Sequence, residues 1–173
     1  MSANMKYPNS LYKDKIAISK PIVYAQGSLA FLSIKPRDFS KGVDILRDKN
    51  ILKIAIGNPK TAPYGIVSVE ALKNAKIYDD IKSKFVYGES ISQTLIYTTR
   101  ATDIGIVAKS SLYSPKMKQY KENINWKSID TNLYNPINQG MVLIKDKKAK
   151  EFYDFILSNS AKKIFESYGY ITF

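Results

Sequence analysis

Two stretches of this sequence hold the residue types that bind a small anion without a countercharge. The first is Gly57-Asn58-Pro59-Lys60-Thr61-Ala62-Pro63-Tyr64-Gly65, in which two glycines and two prolines bracket Thr61, Ala62 and Tyr64. Pro63 suits the first turn of a helix, so the amides of Tyr64 and Gly65 open that helix. Backbone N–H groups at a helix start, together with the helix dipole, attract negative charge. The same stretch also works as a rigid strand–helix turn with no ligand. The second is Gly88-Glu89-Ser90-Ile91-Ser92-Gln93. Ser90 either caps the following helix or presents its hydroxyl, with the Ile91 and Ser92 amides, to a ligand.

Other chemistries have less to work with. The chain contains neither Cys nor His, which excludes disulfides, thiolate nucleophiles, imidazole-based triads and Cys or His metal ligands. Glu70, Glu89 and Asp103 are scattered carboxylates and read as surface or capping groups; Asp79-Asp80 resembles a helix-end turn. With no apparent acid–base pair or nucleophile, the chain is expected not to be an enzyme and to need no cofactor. A formal net charge of +12 favours anionic partners in general. No RNP, zinc-finger or basic-zipper signature accompanies it, so nucleic acid is not an expected partner. The densest run, Lys145, Lys147, Lys148 and Lys150, reads as a solvated helix start.

The elements that must position these loops follow from apolar periodicity. Residues 22–33 read as one long strand with Gly27 as a bulge, and Val43, Ile45 and Leu46 as a short helix ending near Asn50. A strand–loop–helix unit then recurs. Strands are expected at 53–56, 84–87 and 103–108. A helix over 66–75 places Val69, Leu72 and Ala75 on one face, and a helix over 91–99 places Ile91, Leu95 and Thr98 or Thr99 on another. Strands alternating with helices predict an α/β fold with a mostly parallel sheet. In such a sheet, loops at the C-terminal strand ends converge on one crevice. Beyond Pro136, the pattern predicts a strand at 140–144 and a helix over 149–157 with Phe152, Phe155 and Ile156 toward the core. A last helix, 160–167, is expected with Ser160 as N-cap and Gly169 just past its end. Longer apolar stretches such as 104–108 have strand length, not the length of a membrane span. Residues 1–6 are not followed by the apolar run of a signal peptide.

The motif Ile56 to Gly65, followed by Glu70-Ala71-Leu72, resembles the molybdate-binding protein of ABC transporters. Val86-Tyr87-Gly88-Glu89-Ser90-Ile91-Ser92-Gln93 is similar to that family's second ligand loop, and Asp103 to Ala108 to its third strand. Phe152-Tyr153-Asp154-Phe155-Ile156 and Ile164 to Tyr170 resemble its closing helices, and residues 2–7 a segment late in its first lobe. The resemblance implies a type II periplasmic-binding fold of two α/β lobes with the ligand between them. It implies a tetrahedral oxyanion, molybdate or tungstate, held by amides and hydroxyls with no metal-ligating side chains. Sulfate carries the same charge and is not distinguished. By match, the Tyr64 and Ile91 amides are the second-lobe donors, with Pro63, Ser90 and Ser92 flanking them. Some members place a tyrosine hydroxyl at the end of the third strand, where this sequence has Ala108.

The resemblance also implies a division of the chain. Residues 1–21 and 137–173 correspond to parts of the first lobe, and residues 22–136 to an essentially complete second lobe. The family's opening strand and serine-bearing loops find no counterpart here, so the chain reads as lacking the N-terminal part of that lobe and as impaired in binding. Its first-lobe helices are then expected to expose Phe152, Phe155, Ile156 and Phe165, inviting a homodimer or domain swap. The implied setting is periplasmic, beside the membrane permease of an ABC importer. An alternative is the ligand-sensing domain of a transcription regulator, which shares this fold.

Overall fold

In a computed structural model of the chain, residues 1–144 and 147–173 are described, Lys147 and Lys148 by their backbone only. The run of lysines at 145–150 therefore lies partly outside the described residues. The elements in chain order are α1 (Lys6–Lys13), β1 (Ile22–Gly27), β2 (Leu29–Leu32), β3 (Ile54–Gly57), α2 (Pro63–Asn74), α3 (Tyr78–Ile81), β4 (Phe85–Gly88), α4 (Ile91–Arg100), β5 (Ile104–Ala108), β6 (Trp126–Ser128), β7 (Ile137–Met141), α5 (Lys147–Ile156) and α6 (Asn159–Ser167). The chain folds as two compact units, Met1–Gly27 with Pro136–Phe173, and Ser28–Asn135.

The first unit is built on β1 and β7, paired antiparallel from Ile22 opposite Met141 to Gly27 opposite Ile137. Each strand starts directly after a proline, Pro21 or Pro136. Pro21 has no N–H to extend the ladder, so the strand expected at 140–144 lies instead at Ile137–Met141. Beyond it, Leu143 bonds outside any strand: its carbonyl accepts from the Ile18 N–H at 2.8 Å, and its N–H donates to Ser19 Oγ at 2.8 Å. The register shift falls between Val23 and Ala25, not at Gly27. Residues 22–33 form two strands, not one: β1 pairs within the first unit and β2 within the second.

The closing helices bury little. Ile156 is the buried side chain of the α5 pattern, while Phe152 and Phe155 stay 56% and 45% exposed; the expected core side of this helix is thus mostly uncovered. The cap of α6 is Ser158, whose Oγ accepts from the Ala161 N–H at 3.2 Å. Ser160 lies one residue inside the helix, because the extended conformation that a cap requires falls at Ser158 (φ −72°, ψ 155°). Gly169 takes the left-handed conformation (φ +72°) past the helix end and donates to the Glu166 carbonyl.

The second unit is organised by a five-stranded sheet of order β4-β3-β5-β2-β6. β4, β3 and β5 are parallel, as the alternation of strands and helices predicts. β2 runs antiparallel to both β5 and β6, so the sheet is mixed. Its centre is wholly apolar: every residue of β3 and β5 is buried. A cluster of Ala30, Leu32, Val107, Leu112, Met117 and Trp126 packs at the β2 side.

The helices meet this sheet through small residues. The buried residues of α2 are Tyr64, Gly65, Ser68, Ala71 and Leu72, not Val69 and Ala75. Those of α4 are Thr94 and Thr98, not Ile91 and Leu95. Thr98 Oγ1 donates to the Thr94 carbonyl at 2.8 Å, so its hydroxyl is satisfied inside the helix. A Cβ at Gly105 would stand 1.9 Å from that oxygen, so only glycine lets helix and strand approach so closely.

Candidate functional site

β3 and β4 end level with each other, Gly57 opposite Gly88. The next residues therefore leave the sheet side by side at its C-terminal edge. The Asn58 N–H donates to the Gly88 carbonyl at 2.7 Å, extending the parallel register by one bond. From there one loop enters α2 and the other enters α4. β5 ends at the same edge with the buried Ala108, after which the Lys109 N–H donates to the Ser28 carbonyl at 2.9 Å.

The first loop folds on Asn58. Its carbonyl accepts from the Thr61 and Ala62 N–H groups at 3.1 and 2.8 Å, and its side-chain Oδ1 from the Lys60 N–H at 3.0 Å. Pro63 is the first helical residue of α2, and the extended Ala62 precedes it. A proline there loses nothing, because its missing N–H belongs to a position with no intrahelical partner. The start of α2 rests directly on β3: a Cβ at Gly65 would lie 2.3 Å from the Gly57 carbonyl oxygen.

The second loop is capped. Ser90 is extended, and its Oγ accepts from the Gln93 N–H at 3.2 Å. In return, Gln93 Oε1 accepts from the Glu89 N–H at 2.7 Å, a reciprocal arrangement akin to a capping box shifted by one residue. The Ser90 hydroxyl is thus used as a cap and keeps its own proton to donate. The N–H groups of Ile91 and Ser92 have no hydrogen-bond partner among the described residues. At a helix start such groups point out of the helix toward whatever occupies the adjoining space.

Glu89 joins the two loops. Its Oε1 accepts from Asn58 Nδ2 at 2.9 Å, and its Oε2 and backbone carbonyl share the single proton of Thr61 Oγ1 at 3.0 and 2.9 Å. The bonds from Asn58 and then Thr61 hold the Glu89 carboxyl below its ordinary value, against a smaller opposing effect of burial. From sequence, Glu89 reads as a surface or capping carboxylate. It is exposed, yet it links residues 28 and 31 positions away. The one local signal is its place immediately before a capping serine. Asp103 also does more than cap the surface: its Oδ2 accepts from the Leu52 and Lys53 N–H groups, each at 2.9 Å, tying the approach to β3 to the start of β5.

The fold thus brings Pro63, Tyr64, Ser90, Ile91, Ser92 and Ala108 to the ends of three parallel strands of one sheet. Two cavities of this unit lie elsewhere. One of about 590 Å³ is lined by residues including Arg37, Lys41 and Arg47, and one of about 550 Å³ by residues including Phe31, Lys127 and Leu133. Neither touches these loops. Among the described residues no cluster of carboxylates could hold a metal ion.

A sheet whose parallel strands deliver helix starts to one edge is shared by many α/β folds, periplasmic binding proteins among them, and comparison with known proteins places the chain in that group. Residues 1–171 match the family described as bacterial extracellular solute-binding protein, and the chain belongs to that family. It is 32% identical over 179 residues to the molybdate-binding protein ModA of Rhodobacter capsulatus, covering 99% of this chain and 68% of that one. Among solved structures, the periplasmic molybdate-binding protein of Azotobacter vinelandii superposes with a TM-score of 0.84 at 26% identity, over 98% of this chain and 76% of that one. The substrate-binding domain of a molybdenum ABC transporter protein from Clostridium difficile gives 0.74 at 27% identity, over 99% and 75%.

Proposed function

We propose that these residues bind a tetrahedral oxyanion, molybdate or tungstate, as part of the solute-binding component of an ABC importer. The protein acts in the periplasm, delivers its ligand to a membrane permease, catalyses no reaction and needs no cofactor. The observation that carries this reading is the pairing of two helix starts, α2 and α4, on strands that end in register at Gly57 and Gly88. Relatives of the same family with this fold are named for molybdate.

In this reading the Tyr64 and Ile91 amides donate to the oxyanion. Pro63 sets the direction of the first, and Ser90 and Ser92 flank the second. Amide donors suit such a ligand because they offer fixed partial charges and add no mobile counterion. Ala108 brings no hydroxyl to the end of β5, so a donor used by some family members is supplied differently or not at all. The serine-bearing loops of the first lobe that the resemblance implies are not among these residues. An oxyanion held by these donors alone keeps part of its water and binds weakly.

Titration calorimetry with sodium molybdate, tungstate and sulfate tests the reading. Heats of binding are expected for molybdate or tungstate. Absence of binding to all three anions refutes it.

A further inference from the structure

We infer that Glu89 is a positioning residue for the oxyanion site, locking the loop that opens α2 to the loop that opens α4; this rests on the function proposed above. A carboxylate two residues before the Ile91 donor to a dianion is electrostatically unfavourable, so its presence there asks for another role. The geometry supplies one. Both carboxylate oxygens and the backbone carbonyl of Glu89 accept bonds from Asn58 and Thr61, and its N–H is held by Gln93.

With the backbone bond from Asn58 to Gly88, the bonds from Asn58 and Thr61 to Glu89 cross between the two loops. The amides of Tyr64 and Ile91 sit within a few residues of the two ends of this clamp. Their spacing is what a ligand of fixed size reads, and donors held in advance bind without an ordering cost. The bonds from the neutral donors Asn58 and Thr61 hold the Glu89 carboxyl below its ordinary value, so it stays ionised as a structural acceptor.

The test is calorimetric titration of the chain with molybdate for Glu89→Ala, Glu89→Gln, Thr61→Val and the double variant Glu89→Ala/Thr61→Val. Losing bonds to a charged acceptor is expected to weaken binding about tenfold in Glu89→Ala, with little change in melting temperature. Glu89→Gln, which keeps one acceptor oxygen, should fall between it and wild type. The double variant should bind no worse than Glu89→Ala, since both remove the same link. If the charge acted only by repulsion, Glu89→Ala and Glu89→Gln would both tighten binding, and that result overturns the inference; so do losses that simply add. Should the wild-type chain bind no oxyanion, the proposed function fails, and amide exchange in the ligand-free protein decides the clamp by itself. Faster exchange of the Asn58 N–H in Glu89→Gln supports it, and unchanged exchange overturns it.

Discussion

Replacing Gly65 with alanine puts one methyl group where the first turn of α2 rests on the end of β3. An ideal Cβ there lies 2.3 Å from the Gly57 carbonyl oxygen, 2.5 Å from the Gly57 carbonyl carbon and 2.9 Å from the Asn58 carbonyl carbon. All three are backbone atoms, so no rotamer change relieves the contact. Non-bonded heavy atoms settle at roughly 3.5 Å, so the helix start must retreat by about 1 Å. Overpacking costs about 1–3 kcal/mol, and a contact made only with backbone atoms falls in the upper part of that range, about 2–3 kcal/mol. Alanine's advantage over glycine within a helix, about 1 kcal/mol, works in the opposite direction. A net loss of about 1–2 kcal/mol is therefore expected, a fall of roughly 2–8 °C in melting temperature for a chain of this size. Thermal and urea denaturation followed by circular dichroism measure it. Ile66→Ala, at a 54% exposed position of the same helix, serves as a control and should shift stability by less than about 1 kcal/mol. The retreat also carries the Tyr64 amide with it, so molybdate affinity should fall about tenfold or more. A Gly65→Ala protein with wild-type denaturation and wild-type titration would show that strand and helix do not meet as described, and the reasoning about fixed donors would fail with it.

Two further outcomes follow from buried and partly buried polar groups. The Tyr134 hydroxyl accepts from the N–H of the fully buried Leu29 at 3.0 Å; Tyr134→Phe leaves that donor unsatisfied and should lower stability in urea by about 1–3 kcal/mol. An unchanged urea midpoint would contradict it. At Asp103, burial alone would raise the carboxyl, but the Lys53 and Leu52 amides, with Arg37 and Lys35, outweigh it and hold the group below its ordinary value. Its contribution is therefore complete above the unfolded carboxylate value of about 3.9 and is lost as pH falls through the lower folded value. The denaturation midpoint of wild type should drop more steeply on acidification than that of Asp103→Asn, and parallel curves would refute the assignment.

Much of the second unit was legible in the sequence because its signals are local. The apolar runs at Ile54–Gly57, Phe85–Gly88 and Ile104–Ala108 mark strands, and Pro63 and Ser90 mark the helix starts that follow. What escaped the reading depends on partners far along the chain. Only Ser28 separates β1 from β2, so one apolar run reads as one strand although its halves pair in different units. Periodicity places Ile91, Leu95 and Thr98 or Thr99 on the inner face of α4. Leu95 packs partly buried against the core cluster, but the fully buried residues are Thr98 and Thr94, whose hydroxyls are satisfied by the Thr94 and Ser90 carbonyls, against Gly105 and Gly88. A hydroxyl that folds back on its own helix behaves as a small apolar group, and hydrophobicity patterns do not register it.

The donors of the proposed site are backbone amides, and that determines where the sequence can carry information about it. The side chains of Tyr64 and Ile91 do not themselves donate in this reading. What the site demands is that the peptide groups stand at fixed points, and those points are set by residues that touch no ligand. Gly65 sets how closely α2 approaches β3, the register of Gly57 with Gly88 sets the level of the two loops, and Glu89 with Thr61 sets their separation. Chemical constraint thus falls on glycines, a threonine and a carboxylate, while the residues that lend their amides tolerate many side chains. A search for reactive groups in the sequence finds none at this edge for that reason. Signals of close approach and of helix start mark the site instead, and its recognition chemistry lies in the main chain.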